Sequence, residues 1–290
     1  MQNYVTPIFG RSGTVNVLGL IKNLIFQEPS IEHLLFYRFL LISKSYETAH
    51  LIRTGKIKKY ESGLRKDLLD VLRVYDLVGD IYQLPFQVWW AKVGQNIFYQ
   101  SKPIKKMTLT IDLSKGEEYV QERVKKTISK AFVLNQNKSS KGIQFMTNKI
   151  RAKALFHKLE IIRERARLSL GNNKNLASNW RIGVKVGFGS KYIPELLSGI
   201  EDVKRANEVR SYLGVFISQK FSEANLIAEN AARGDFPSTK PLEFALDFDY
   251  KKIYDILKTT NQIESDLLSG VPANKRPLNY HDALALAIST

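Results

Sequence analysis

Apolar residues recur at helical spacing along most of the chain, and one window breaks into strict alternation. IEHLLFYRFLLI (31–42) gathers Ile31, Leu34, Leu35, Phe39 and Ile42 on a broad apolar face, and Ser30 before it is a suitable N-cap. Ser43 or Ser45 can start the next helix, SYETAHLIRT, which Gly55 closes. GLRKDLLDVLRVYDLV sets Leu64, Leu68, Leu72 and Tyr75 along one side and stops at Gly79. Pro85 suits the first turn of FQVWWAKVGQNIF. Trp89 and Trp90 within it point about 100° apart, which predicts one in the core and the other beside a groove, where it can either stack on a base or simply pack. Trp180 is open to the same two readings.

The alternating window is KKMTLTIDLS, where Met107, Leu109, Ile111 and Leu113 interleave with polar residues as in a half-buried strand. Ser114 and Glu117 have the spacing of a capping box for a helix running through Tyr119, Val120, Val124 and Ile128. NQNKSSKG (135–142) is small, polar and basic, and reads as an exposed loop. A division there gives an N-terminal, mainly helical domain (1–138) and a C-terminal helical domain (139–290). The expected fold class is mainly α, multi-helical, with a small β element near residues 107–113.

A long helix is expected from about Asn148, with two apolar strips: Leu155, Leu159, Ile162 and Ala166, and then Ile150, Ala154, Ile161 and Leu168. Arg151, Lys158 and Arg165 form a seven-spaced ridge between them that can meet phosphates or acids on a neighbouring helix, or snorkel over apolar surface. Residues 211–233 form a further helix closed by Gly234, with Pro237 shortly beyond. Asn230 and Arg233 at its end can bind an anion or serve as capping groups. VPANKRPLNY reads as a loop and HDALALAIST as a short apolar helix that wraps onto the body or engages a partner.

Charge changes this picture. The chain of 290 residues carries 44 Lys and Arg against 28 Asp and Glu, a net charge of +16. The excess is uneven: residues 111–175 hold fifteen cations against six acids, whereas 176–290 hold fourteen of each. From Arg123 to Leu159 there is no acid at all. Ten uncompensated cations in that run favour a polyanionic partner, DNA or RNA, with phosphate contacts from Lys125, Lys126, Lys130, Lys138, Lys141, Lys149, Arg151, Lys153, Lys158 and Arg165. The neutral, apolar-rich residues 176–290 suit a protein partner or a homo-oligomer.

The absence of cysteine excludes disulfides, thiolate metal sites and cysteine nucleophiles, and permits a reducing compartment. The N-terminus lacks the pattern of a signal peptide, and no window has the run of apolar residues that a membrane span needs, so a cytoplasmic protein without membrane contact is expected.

In LASNWRIGVKVGFGSKYIPELLSGI, Ile182 and Gly183, then Val186 and Gly187, then Phe188, Ile193 and Leu196 follow the apolar, small and turn positions of a helix-turn-helix. About 20 of the 290 residues are involved, and over them the chain resembles helix-turn-helix DNA-binding proteins. The resemblance implies Arg181, Lys185 and Lys191 facing phosphates or base edges, with Gly187 turning the chain and Gly183 letting helices approach. Pro194 would have to begin the second helix, lengthening the turn, and a plain helix-loop-helix packing unit fits the same residues.

GVKVGFGS is not a phosphate loop, because no Gly-Lys-Ser/Thr follows it. PLEFALDFDYKK offers Glu243, Asp247, Asp249 and Lys251 as the acid-x-Lys element of a metal-dependent nuclease, while Asp249 equally suits an N-cap for YKKIYDILK. The four histidines, His33, His50, His157 and His281, have no metal-ligand spacing. The expectation is therefore a nucleic-acid-binding protein, DNA preferred, without cofactor or catalysis, either a helix-turn-helix regulator or a nucleoprotein subunit. The alternatives are an adaptor whose basic surface meets an acidic partner, and a nuclease.

Overall fold

The computed structural model describes residues 27–58, 67–99, 116–138, 143–145, 150–170, 178–188, 203–272 and 275–289. These include helices α1 (Ile31–Ile42), α2 (Lys44–Arg53), α3 (Leu68–Val78), α4 (Phe86–Trp89), α5 (Gln95–Tyr99), α6 (Glu117–Lys138), α7 (Ala152–Ser169), α8 (Asn179–Lys185), α9 (Val203–Ala231), α10 (Tyr250–Leu268) and α11 (Tyr280–Ser289). The protein is mainly α with a small β element. That element pairs β1 (Gln144–Phe145) in parallel with β2 (Asp235–Phe236). The strand expected at 107–113 lies outside the described residues.

The expected caps act locally. Ser30 and His33 form a reciprocal capping box at the start of α1, with the Ser30 N–H donating to His33 Nδ1 (3.0 Å). Ser43 caps α2 by accepting from the Tyr46 N–H (3.2 Å), and Asp249 caps α10 by accepting from the Lys252 N–H (3.2 Å). Helix α2 runs out at Gly55, and α3 ends at Gly79.

Helix α1 departs from the amphipathic expectation, because His33 to Ile42 are buried all round, including Arg38. A helix apolar on every side must be enclosed, and α2, α7, α9 and α10 pack around this one. The buried Arg38 is compensated there: Glu264 (2.6 Å) and Asn261 (3.0 Å) accept its N–H groups, and Tyr280 lies under its guanidinium at 4.7 Å. Trp89 and Trp90 are both fully buried, so neither borders a groove as expected. Their indole N–H groups donate to the Val78 and Gln27 carbonyls at 3.1 and 2.8 Å, which satisfies both rings inside the core. The helix that holds them passes through a π-helical turn, Trp90–Gly94, between α4 and α5.

Side chains from both sides of the expected boundary at residue 138 share one core: Leu35, Phe39, Val71 and Trp90 lie in the same cluster as Leu159, Ala228 and Ile253. A second, smaller cluster joins Ile161, Ile182, Leu213 and Ile217. The two strips of α7 explain both. Leu155, Leu159, Ile162 and Ala166 enter the main core, while Ile161 and Leu168 of the second strip face the smaller cluster; Ile150, expected on that second strip, packs on the main core instead. The helix α6 continues through Lys138, so residues 135–138, expected as part of a loop, are helical, and 139–142 lie outside the described residues.

Arg233 is neither an exposed cap nor a free anion site. Its guanidinium pairs with Asp67 and Glu229 and reaches the Phe244 carbonyl at 3.3 Å. Asn230 is buried beside it and donates to the carbonyls of Leu226 (2.8 Å) and Lys240 (2.9 Å). The C-terminal helix α11 lies on the body, with Ala283 in the core and the Tyr280 hydroxyl donating to Glu160 at 2.6 Å. Among the described residues no helix is long and apolar enough to cross a membrane.

Candidate functional site

Charged side chains converge on a groove of about 540 Å³ between α7 and α10. Helix α7 supplies Arg163, Glu164 and Arg167, one turn apart on one face; α8 supplies Lys185; α10 supplies Tyr254, Leu257, Lys258, Asn261 and Gln262. A smaller hollow of about 170 Å³ continues past Arg163, Glu164 and Lys185 to His157 and Leu284. Four cations thus line a space with one carboxylate.

That carboxylate organises the rim. Glu164 accepts two hydrogen bonds from Arg167 (2.7 and 3.0 Å) and pairs with Lys185 at 2.7 Å. Burial pushes its pKa up, but the hydrogen bonds and charges of Arg167 and Lys185 outweigh burial and hold it below its ordinary value. The hydrogen bond to Glu164 in turn raises the Arg167 pKa against burial. Arg163 is steadied by Glu160 at 2.5 Å. Lys258 is exposed and makes no ion pair among the described residues. In the smaller hollow, burial and then Lys153 lower the pKa of His157 from its ordinary value.

The expected phosphate contacts fall into three groups. Lys125 and Lys126 stand exposed on α6, and Arg151 and Lys153 stand exposed at the start of α7. Lys130 and Lys138 belong to α6, but their side chains, and Lys141, Lys149 and Lys191 altogether, lie outside the described residues. The ridge of Lys158 and Arg165 turns inward. Lys158 pairs with Glu223 on α9 at 3.1 Å, and Arg165 lies 5.8 Å from the ring centres of both Phe221 and Tyr250. Lys158 thus meets an acid on a neighbouring helix, the second of the contacts its spacing allowed. The pairing also holds the Glu223 carboxyl down, against burial, together with Lys220.

Of the base-reading candidates, Arg181 is exposed with its guanidinium 5.2 Å from the Trp180 ring, while Lys185 belongs to the groove through Glu164. Arg210 approaches Trp180 at 5.3 Å, so this half-buried ring packs against cations rather than standing free. Gly187 takes a positive φ of 88° and ends α8, with the Phe188 N–H donating to the Gly183 carbonyl at 2.8 Å. Gly183 does allow a close approach, but by Leu213 and Ile217 of α9: a Cβ there would sit 2.9 Å from Ile217 Cγ1. The positions for the second helix of a helix-turn-helix lie outside the described residues.

Asp249 is occupied as the cap of α10 and lies 3.9 Å from Lys44, whereas Glu243 and Asp247 are exposed. Among the described residues no group of three or more His, Cys, Asp or Glu could hold a metal. Arg163, Arg167 and Lys258 escaped the charge count because they lie beyond the acid-free run. Their signal was the spacing: Arg163 and Arg167 are four apart on one side of a helix, as are Tyr254 and Lys258. No family model matches the chain, and no curated protein and no solved structure matches it either.

Proposed function

We propose that this protein binds nucleic acid, DNA by preference, without doing chemistry on it, and that the groove between α7 and α10 is the centre of its phosphate-binding surface. The observation that carries this reading is the convergence of Arg163, Arg167, Lys185 and Lys258 on one hollow with a single carboxylate. Such a cluster is relieved by an anion, and guanidinium groups match phosphate oxygens in a bidentate fork. Arg151 and Lys153 extend the positive surface along α7, about 15–18 Å from Arg163 at 1.5 Å per residue. The net charge of +16 adds long-range attraction to a polyanion. In this proposal the groove supplies affinity, and a helix-turn-helix type of contact by Arg181 and Lys185 supplies any sequence preference. A cytoplasmic site of action, suited to a chain without cysteine, belongs to the same proposal.

Titration with a random duplex, a single strand and RNA across a salt series tests the reading. Binding should weaken steeply with salt, with a slope of about −0.9 per duplex phosphate contacted. No binding at low salt would overturn it. A protein partner is the second reading, favoured by Tyr212 and Val215, which are 62% and 58% exposed and one turn apart on α9. Tyr212→Glu should then dissociate any homo-oligomer seen by light scattering.

A further inference from the structure

The groove between α7 and α10 carries more than charge, and what it carries is divided between its two walls. The α7 wall is cationic, and its guanidinium groups are only partly committed: Arg167 gives Nε and Nη2 to Glu164, which leaves Nη1. The α10 wall is a different surface. Tyr254 presents a half-buried phenol ring, Lys258 follows one turn later, and Asn261 and Gln262 follow one turn after that. The two amides are oriented by their own partners. Asn261 Oδ1 accepts from Arg38 at 3.0 Å, which leaves its amide N–H groups as donors; Gln262 Nε2 donates to Asp266 at 2.8 Å, which leaves its carbonyl oxygen as an acceptor.

A phosphate alone would engage Arg163, Arg167 and Lys258 and leave the Tyr254 ring and the two amides of α10 unused. A nucleotide has both halves: an anion for the cations, and a flat ring with donors and acceptors for a phenol flanked by amides. A hollow of about 540 Å³ is in the range of small-ligand pockets. A base stacked and paired inside a duplex cannot enter such a hollow, whereas an unpaired base can. We infer that this groove accepts one unpaired nucleotide of a single strand, with its phosphate held by Lys258, Arg163 and Arg167 and its base laid on Tyr254 within reach of Asn261 and Gln262.

This inference rests on the nucleic-acid reading, and the experiment separates the two. A labelled oligothymidine, alone and annealed to its complement, is titrated at low salt against the full chain and against Tyr254→Ala and Tyr254→Phe. The single strand should bind more tightly than the duplex. Tyr254→Ala should weaken single-strand binding about 5- to 150-fold, the range expected when one stacking partner is removed, while Tyr254→Phe and duplex binding stay near wild type. Because Tyr254 also borders the core, photo-cross-linking of the wild-type chain to a halogenated uracil strand gives a second measurement that needs no variant. Adducts on Tyr254 or its α10 neighbours support the inference. Equal affinity for single strand and duplex, or adducts only outside the groove, would overturn it and leave the nucleic-acid reading standing; no binding to either would overturn both.

Discussion

Glu229 and Glu164 are both buried carboxylates that collect donors, and the contrast between their surroundings separates what holds the fold from what faces a ligand. Glu229, with no exposure at all, accepts from the Ser43 hydroxyl, the Ser45 N–H and hydroxyl, the Leu246 N–H and Arg233. Its donors come from α2, α9 and the 246 segment, and every one of them points inward. Glu164 gathers two cations whose side chains are about half exposed, Arg167 and Lys185, and holds them at the edge of an open groove. The first arrangement closes a junction between elements. The second orients charge toward solvent without neutralising all of it.

Removing Glu229 should therefore do the larger damage. Glu229→Ala leaves the Ser43 and Ser45 hydroxyls and two backbone N–H groups without their acceptor, removes one of the two carboxylates beside Arg233, and should destabilise the fold by about 3–5 kcal/mol in denaturant melts. Glu164→Ala, whose cations can turn to water, should cost about 1 kcal/mol or less. Equal losses would break the comparison.

Acid titration should separate the same regions. Burial lowers the His33 pKa from 6.5 to about 4, with Glu32 opposing, and protonation would abolish the Nδ1 acceptor of the α1 capping box. The unfolded chain then takes up a proton that the folded chain refuses. Stability is complete above pH 6.5 and falls by up to about 3 kcal/mol as pH drops toward 4. Melts of His33→Gln should lack this slope. Glu164 is held below its ordinary 4.5, so its contribution is present above that value and is lost only as pH falls further, through the folded pKa. A loss of its contribution already at pH 6 would contradict the assignment.

Smaller effects sharpen the contrast within the second cluster and the caps. Gly183→Val should cost about 2 kcal/mol, because its Cβ meets Ile217 and Leu213 at van der Waals overlap. Asp249→Ala should cost about 1 kcal/mol by removing the cap of α10 and should leave groove binding unchanged. Thermal melts alongside binding curves check both.

What was legible in the sequence was what a residue decides within its own turn. Ser30, Ser43, Gly55, Gly79 and Asp249 act where their local pattern places them, and the apolar positions of α7 do form two strips. The fate of Lys158 depended on Glu223, sixty-five residues further along the chain, and spacing alone could not choose between phosphate and acid. Trp90 is enclosed by His33 of α1 as well as by Phe86 and Phe98 of its own helical segment, and the first of these partners lies far from it in the sequence. The polar stretch at 135–138 continues α6, because polar composition by itself does not end a helix. The groove was hidden for a further reason: α7, α8 and α10 each contribute one or a few residues, and only packing brings them together.

Free charge on the groove, and not the inward-turned Lys158 and Arg165 of the ridge, is what meets phosphate in this reading. The direct measurement is the slope of log affinity against log salt for a single strand, compared among wild type, the double variant Arg163→Gln/Arg167→Gln, and Lys158→Gln. Each phosphate left without its cation should reduce the slope by about 0.7, so the double variant should flatten it by up to about 1.4 while Lys158→Gln leaves it unchanged. A flattened slope for Lys158→Gln with an unaltered one for the double variant would contradict the account.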